Sequence, residues 1–330
     1  MIDTKLFSTK QRVLIIKIGA LGDVALALSL IKAYEKSNIT WVVGQAALPL
    51  LKLVPQLSSL IAINEQALLK GNFFQKLCQI ILVWWKLGLR RYDVIITAHK
   101  DPRYRLLSLL TLKKKHYYFS SCDAFPLGKK FHGQAYLDLA KASCPLEYPL
   151  LRLPSLNLNA LSGIKQPWIV LNIFGQSQHN KQLRYWSIES YVQLASLLSK
   201  NHTVILIGDA TANDAAKAFS SLNIINLLGQ TTLEQLIYLL QQSYCLITHD
   251  SGPFHLARVA RCRRACLFGP THPNNFGRES EDELHIYTSF FCSPCYDGKK
   301  FPSCQENMCL KTISPQLVYE SLKKRFAEIR

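Results

Sequence analysis

The sequence is poor in acid. Its 330 residues carry 22 Asp+Glu against 39 Lys+Arg, a formal net charge of +17. That balance points toward an anionic partner, or else to simple solubility, and away from a cationic substrate. Glycine (15) and proline (14) are too few for a collagen-like or low-complexity chain. Apolar residues make up 48%, which excludes wholesale disorder. No apolar run reaches the ~20 residues of a membrane span. Residues 13–31 are interrupted by Lys17 and Asp23, and the uncharged run 77–85 is short. The basic–apolar–small order of a signal peptide is missing, since Asp3 and polar residues come first. The expectation is a cytoplasmic protein whose thiols are mostly reduced. The chain also lacks the dinucleotide pattern G-x-G-x-x-G and any Asp-x-Asp pair of the metal-holding kind.

What is present reads as two α/β halves, a length too great for one small core. Residues 1–155 hold 22 Lys/Arg against 9 Asp/Glu, and residues 156–330 hold 17 against 13, so the charge is concentrated in the first half. Residues 12–18 form a β-branched apolar run that ends at Gly19-Ala20-Leu21-Gly22-Asp23 and gives way to a helical pattern over 24–34. Further strands are expected at 40–43, 60–63, 93–97 and 116–119, with helices at 46–54, 72–89 and 103–112 between them. A Pro- and Leu-rich stretch, 146–165, reads as a linker. The alternation restarts with strands at 168–172, 203–207, 224–227, 245–248 and 265–268. Helices follow at 187–199, 232–242, 254–261 and 315–330. Strands alternating with helices predict largely parallel, doubly wound sheets.

Two turns carry chemistry. In the first, Gly19 and Gly22 let backbone approach a ligand, and Asp23 sits at a helix start. Asp23 is either a reactive carboxylate or a first-turn acid. In the second, Asp250-Ser251-Gly252-Pro253-Phe254-His255 joins a strand to a helix. Ser251 and Gly252 offer hydroxyl and N–H donors, and a phosphate or diphosphate is the natural guest. The plainer alternative is a turn with a packed histidine.

Residues 250–257, then Leu267-Phe268-Gly269-Pro270-Thr271-His272-Pro273, resemble the signature of glycosyltransferase family 9, the bacterial lipopolysaccharide heptosyltransferases and their relatives. The opening Ile16-Lys17-Ile18-Gly19-Ala20-Leu21-Gly22-Asp23-Val24 resembles that family's N-terminal motif. The resemblance implies a GT-B fold: two Rossmann-like domains facing across a cleft, 1–155 for the acceptor and 156–313 for the nucleotide sugar. It also implies a final helix, 314–330, returning to the first domain. It implies a donor such as ADP-heptose and a lipopolysaccharide core or other lipid-linked acceptor. The protein would be peripheral on the inner face of the inner membrane. Asp23 takes the place of the catalytic base, and Asp250, Ser251, Gly252 and His255 hold the donor. Arg184 stands where a phosphate-binding lysine is usual, with Lys181 nearby; Ser177 precedes them. Asp209 and Asp214 both qualify for the acid that reaches the ribose. No cofactor is required for catalysis on this reading. Cations and helix termini stabilise the leaving diphosphate, and one carboxylate opposite the leaving group gives inversion.

Cys292, Cys295, Cys304 and Cys309 have a C-x2-C-x8-C-x4-C spacing that suits a structural zinc. A reversible disulfide pair and simple packing are the alternatives. Residues 73–91 pair an apolar stretch containing Trp84 and Trp85 with Lys86, Arg90 and Arg91. They read either as an interfacial helix or as a core helix with a basic end. Two other functions fit parts of the pattern. An NAD-type oxidoreductase lacks its third glycine and its acid ~20 residues beyond the turn. A nucleic-acid-binding protein rests on net charge with no visible module, and no nucleic-acid partner is expected.

Overall fold

The computed structural model describes residues 10–120, 128–154, 158–173, 181–210, 213–298, 301–304, 306–327 and 329. The chain divides into two compact units, Met1–Ala124 with Gly133–Arg152, and Phe125–His132 with Leu153–Arg330.

The first unit is built on β1 (Arg12–Ile16), β2 (Asn38–Gly44), β3 (Leu57–Ile63), β4 (Arg91–Thr97) and β5 (Leu112–Tyr118), all parallel, in the order β3-β2-β1-β4-β5. Val13–Ile16 are fully buried because the central strands of a parallel sheet are covered on both faces. Helix α1 (Leu21–Ala27) follows β1, α2 (Phe73–Leu87) precedes β4, and α3 (Pro102–Leu106) follows it. A capping box between Asn72 and Gln75 starts α2. Two expectations shift here. The helix expected over 103–112 stops at Leu106, and Lys113–Lys115 lie on β5. The triple lysine has no strand-like alternation. It suits an edge strand, where charge blocks pairing with another chain.

The second unit holds β6 (Trp168–Asn172), β7 (Thr203–Ile207), β8 (Ile225–Asn226), β9 (Cys245–His249), β10 (Arg263–Leu267) and β11 (Glu283–Ile286). They run in the order β11-β10-β9-β6-β7-β8, again all parallel. Its main helices are α4 (Ile188–Leu198), α5 (Leu233–Gln242), α6 (Gly252–Val259) and α7 (Pro315–Arg325). The short edge strand β11 was not anticipated.

The domain boundaries need two corrections. Residues 128–132 belong to the second unit: Gly128 N–H donates to Asn275 Oδ1 (2.7 Å) and Asn275 Nδ2 donates to Lys130 O (2.9 Å). The final helix was expected on the first domain. Instead α7 is built into the second unit's core, where Val318, Leu322, Phe326 and Ile329 are buried with Trp186, Tyr191 and Leu194. Trp186 Nε1 donates to Ile313 O (2.8 Å), which ties the approach to α7 into the same core. Among the described residues, no helix is long and apolar enough to cross a membrane.

Candidate functional site

In an open parallel sheet, ligands bind beyond the carboxyl ends of the strands where the strand order reverses. Those points lie between β1 and β4 in the first unit and between β6 and β9 in the second. Both turns singled out from the sequence fall there.

In the first unit, Asp23 stands in the first turn of α1, and Lys17 Nζ donates to Asp23 Oδ2 at 2.9 Å. Lys17 is only 2% exposed while the Asp23 side chain is 42% exposed. A buried ammonium therefore fixes a carboxylate that still reaches solvent. The ammonium also lies 5.7 Å from the Tyr136 ring centroid. Trp41 Nε1 donates to the Lys17 carbonyl (3.1 Å), which anchors the strand end. A Cβ at Gly19 would stand 3.0 Å from Glu65 Oε2, so the Glu65 carboxylate packs close against this turn. Gly22 lies in the first turn of α1. From the end of β4, His99 stacks on Tyr104 at 4.1 Å, and its Nδ1 accepts from Asp101 N–H (3.0 Å). Burial, helped by the Lys17 charge, pulls the imidazole down to about 4, so the ring is neutral. Lys17, His99 and Tyr136 were not singled out from sequence. In the sequence, Lys17 breaks an apolar run and belongs to the N-terminal motif, with no role of its own.

In the second unit, β9 ends at His249 and the chain passes through Asp250 and Ser251 into α6. Ser251 is the N-cap residue, yet its side chain makes no capping bond. Its hydroxyl lies instead 3.1 Å from Thr248 Oγ1 and accepts from Asn172 Nδ2 (3.2 Å). Asn172 Nδ2 also donates to Thr248 Oγ1 (2.8 Å), so the ends of β6 and β9 are pinned together. Across this turn lies the segment 183–186. Trp186 is anchored as described, Tyr185 packs edge-on against His249 at 5.0 Å, and Arg184 Nη1 donates to Asp250 O (3.2 Å). The Arg184 guanidinium also sits 5.2 Å from the Phe301 ring. A fixed cation and a helix N-terminus thus share one strand end, an arrangement that suits a diphosphate. Asn172 Oδ1 and His249 Nδ1 are buried there without a hydrogen-bond partner. Burial lowers the His249 imidazole to about 3, with the Arg184 charge adding to it.

Asp250 is buried. Burial alone would raise its carboxyl, but the neighbouring His255 ring and the Arg184 charge outweigh it, and the group is held below the usual carboxylate range. His255 does not open toward a ligand as expected. It is 6% exposed, with Nε2 3.6 Å from Asp250 Oδ1 and Nδ1 3.0 Å from Arg258 Nη1. Its geometry is that of a support for Asp250. Arg258, which the sequence reading missed, is paired with the fully buried Glu283 on β11.

The family model for glycosyltransferase family 9 (heptosyltransferase) matches residues 130–304, more than half of the chain. The chain belongs to glycosyltransferase family 9. A lipooligosaccharide heptosyltransferase 2 from Campylobacter jejuni is 25% identical over 147 residues, covering 42% of this chain and 46% of that protein. The chain thus spans about half the length of that curated relative. A solved family 9 glycosyl transferase from Veillonella parvula superposes with a TM-score of 0.77 at 15% identity, covering 96% of this chain and 97% of the other. The E. coli ADP-heptose lps heptosyltransferase II gives a TM-score of 0.72 at 18% identity, covering 96% and 99%. The fold class is the expected GT-B type, with two parallel-sheet α/β domains.

The remaining expected family 9 site residues are placed unevenly. Asp209 lies two residues past the end of β7, the strand next to β6. Asp214 is 92% exposed and pairs with Lys217 (2.8 Å), a local surface contact. Lys181 opens a short 3-10 turn, Lys181–Arg184. Ser177 lies outside the described residues. Among the described residues, no three His, Cys, Asp or Glu side chains are gathered so as to hold a metal ion. Cys292, Cys295, Cys304 and Cys309, the cysteines of the zinc expectation, lie within electrostatic reach of one another but form no closed ligand set. Cys304 Sγ accepts from Asn307 N–H (3.3 Å), while Cys309 is buried. The Cys295 and Cys309 thiols are raised, first by burial and then by the neighbouring cysteines. The described cysteines form no disulfide.

Proposed function

We propose that this chain transfers a heptose from ADP-heptose to a lipopolysaccharide core acceptor, with inversion at the anomeric carbon. The observation that carries the reading is the cradle at the end of β9, where Arg184 bonds the Asp250 carbonyl beside Ser251, Gly252 and the start of α6. The likeness to the E. coli ADP-heptose lps heptosyltransferase II supports the choice of donor and acceptor. Family membership disfavours the oxidoreductase reading.

On this reading, Arg184 and the N–H groups at the start of α6 take up charge as the sugar–diphosphate bond breaks. Asp250 is kept ionised by His255 and Arg184, and faces the donor sugar as an acceptor of hydrogen bonds from its hydroxyls. Asp23 accepts the proton of the attacking hydroxyl, its carboxylate oriented by Lys17. Catalysis needs no cofactor. The acceptor is lipid-borne, and the enzyme works from the cytoplasmic side at the inner-membrane surface.

The test is direct. Purified protein is incubated with ADP-heptose and a core lipid lacking its heptoses, and the lipid is weighed by mass spectrometry. A gain of one heptose with release of ADP is expected. No transfer from ADP-heptose, alongside transfer from a different nucleotide sugar, would overturn the donor assignment.

A further inference from the structure

We infer that the first unit carries a membrane-docking surface, formed by the outer face of α2 and the lysine-bearing edge of β5, that lies on a bilayer rich in anionic headgroups.

Helix α2 is apolar on two faces. Val83 and Leu87 are buried in the first unit's core, with Ile80 packed against it. On the other side, Phe74, Cys78, Ile81 and Trp85 fall at i, i+4, i+7 and i+11, and all four are exposed. Phe74 is 74% and Trp85 78% exposed. Helical geometry makes this a stripe about 16 Å long. A helix facing water would carry polar residues at these positions. Phe73 and Leu89 extend the stripe at its ends, and both are exposed. Trp84 Nε1 donates to Leu106 O (2.8 Å), which holds the region after α3 beside α2. There Leu106, Leu109, Leu110 and Leu112 are exposed as well. A patch of this extent marks a docking surface.

Charge decides what docks. Residues 70–118 contain eleven Lys/Arg and two Asp/Glu. Both acids are already engaged, Asp93 with Lys114 (2.6 Å) and Asp101 with Arg103. Lys86, Arg90 and Arg91 are exposed at the end of α2 and just beyond it, and Lys113 and Lys115 are exposed on the β5 edge. Residue pairing places Arg91 opposite Leu112, so the basic and apolar groups are interleaved. A second copy of the chain would set this positive surface against itself, which is repulsive. An anionic bilayer complements both halves: aromatic rings settle at headgroup depth and ammonium groups meet lipid phosphates. The helix lies on the surface, since 15 residues are too few to cross. The lipid-borne acceptor of the proposed function gives such docking its purpose, but the surface itself uses none of the donor or acceptor residues.

The experiment is co-sedimentation of the full chain with vesicles that carry no sugar acceptor, so its outcome is independent of heptose transfer. Phosphatidylcholine vesicles are compared with vesicles holding about one-third phosphatidylglycerol. Binding is expected to the anionic vesicles, roughly tenfold or more above the zwitterionic ones, and to fall as salt rises. The double variant Phe74→Ser/Trp85→Ser, and separately Lys86→Glu/Arg90→Glu, should each lose about tenfold or more of that binding. Their circular dichroism and thermal midpoint should stay at wild-type values, because the side chains are exposed. No binding to anionic vesicles, or variant binding equal to wild type, overturns the inference. So does a dimer, seen by ultracentrifugation, that the Phe74→Ser/Trp85→Ser change dissolves, since the stripe would then belong to a second copy.

Discussion

Arg258 Nη1 lies 3.0 Å from His255 Nδ1, and that contact sets the direction of the histidine's hydrogen bonds. A guanidinium only donates, so Nδ1 must accept. The ring N–H is then on Nε2, the atom 3.6 Å from Asp250 Oδ1. Arg258 is in turn held by Glu283, with Nη2 donating to Oε1 (2.8 Å) and Oε2 (2.9 Å). A line of buried partners runs from the outer strand β11 to Asp250 at the end of β9. Arg258→Met breaks this line and leaves a buried carboxylate short of a partner. Removing one member of a buried pair costs about 3–5 kcal/mol. Urea unfolding should show the loss, and an unchanged midpoint would contradict the network.

Glu283 also predicts an acid limb. Burial would raise its carboxyl, but the Arg258 charge, the His285 hydrogen bond and the Arg264 charge hold it far below its ordinary 4.5. A carboxyl depressed in the folded state stabilises above its unfolded value, and that contribution is lost as pH falls toward the folded value. Wild-type stability should therefore drop steadily below about pH 4.5. Glu283→Gln should be less stable at neutral pH and show a flatter acid limb. Parallel acid limbs in urea midpoints would place the sensitivity elsewhere.

The strand–turn–helix punctuation was legible because β-branched runs stop sharply at Gly19 and at Asp250. The strand order was not, and only the order shows that both turns sit at switch points. Lys17 and Asp23 are six residues apart, yet their pairing depends on how the turn folds back. Arg258 and Glu283 are 25 residues apart and lie on a helix and an edge strand, so no local pattern joins them. For α7, Val318 and Leu322 mark an apolar face, but a face does not say which core it fills, and it fills that of the second unit. The family motifs were readable as words, whereas the partners that orient them come from distant segments.

Asp23→Asn should lower turnover by roughly 10²–10⁴, the usual range for a lost general base. Asp23 belongs to the first unit and Arg184 to the second, so ADP affinity by calorimetry should stay at its wild-type value. A parallel fall in ADP affinity would make Asp23 a structural or donor-binding residue.

Arg184→Ala should weaken ADP binding about 10–150-fold, the worth of a charge-assisted contact of about 1.5–3 kcal/mol. Arg184→Lys should recover only part of it, because the planar guanidinium both bonds the Asp250 carbonyl and stands over Phe301. Full recovery by lysine would show that charge alone is needed there.

Metal dependence separates two kinds of site. The chain has no Asp-x-Asp pair, and its described residues gather no three ligating side chains. On the proposed reading, Arg184 and the start of α6 meet the diphosphate charge. Transfer activity should therefore survive brief EDTA treatment, with no gain on adding magnesium or manganese. The cysteine segment is read by a different signal. The four cysteines form no closed ligand set, so purified protein should hold far less than one zinc per chain by elemental analysis. Long incubation with chelator should leave the thermal midpoint unchanged. Rapid loss of activity restored by magnesium would mean a catalytic metal. Slow loss with a falling midpoint and stoichiometric zinc would mean that the four cysteines close around a structural ion, the outcome their spacing allows but their geometry here does not show.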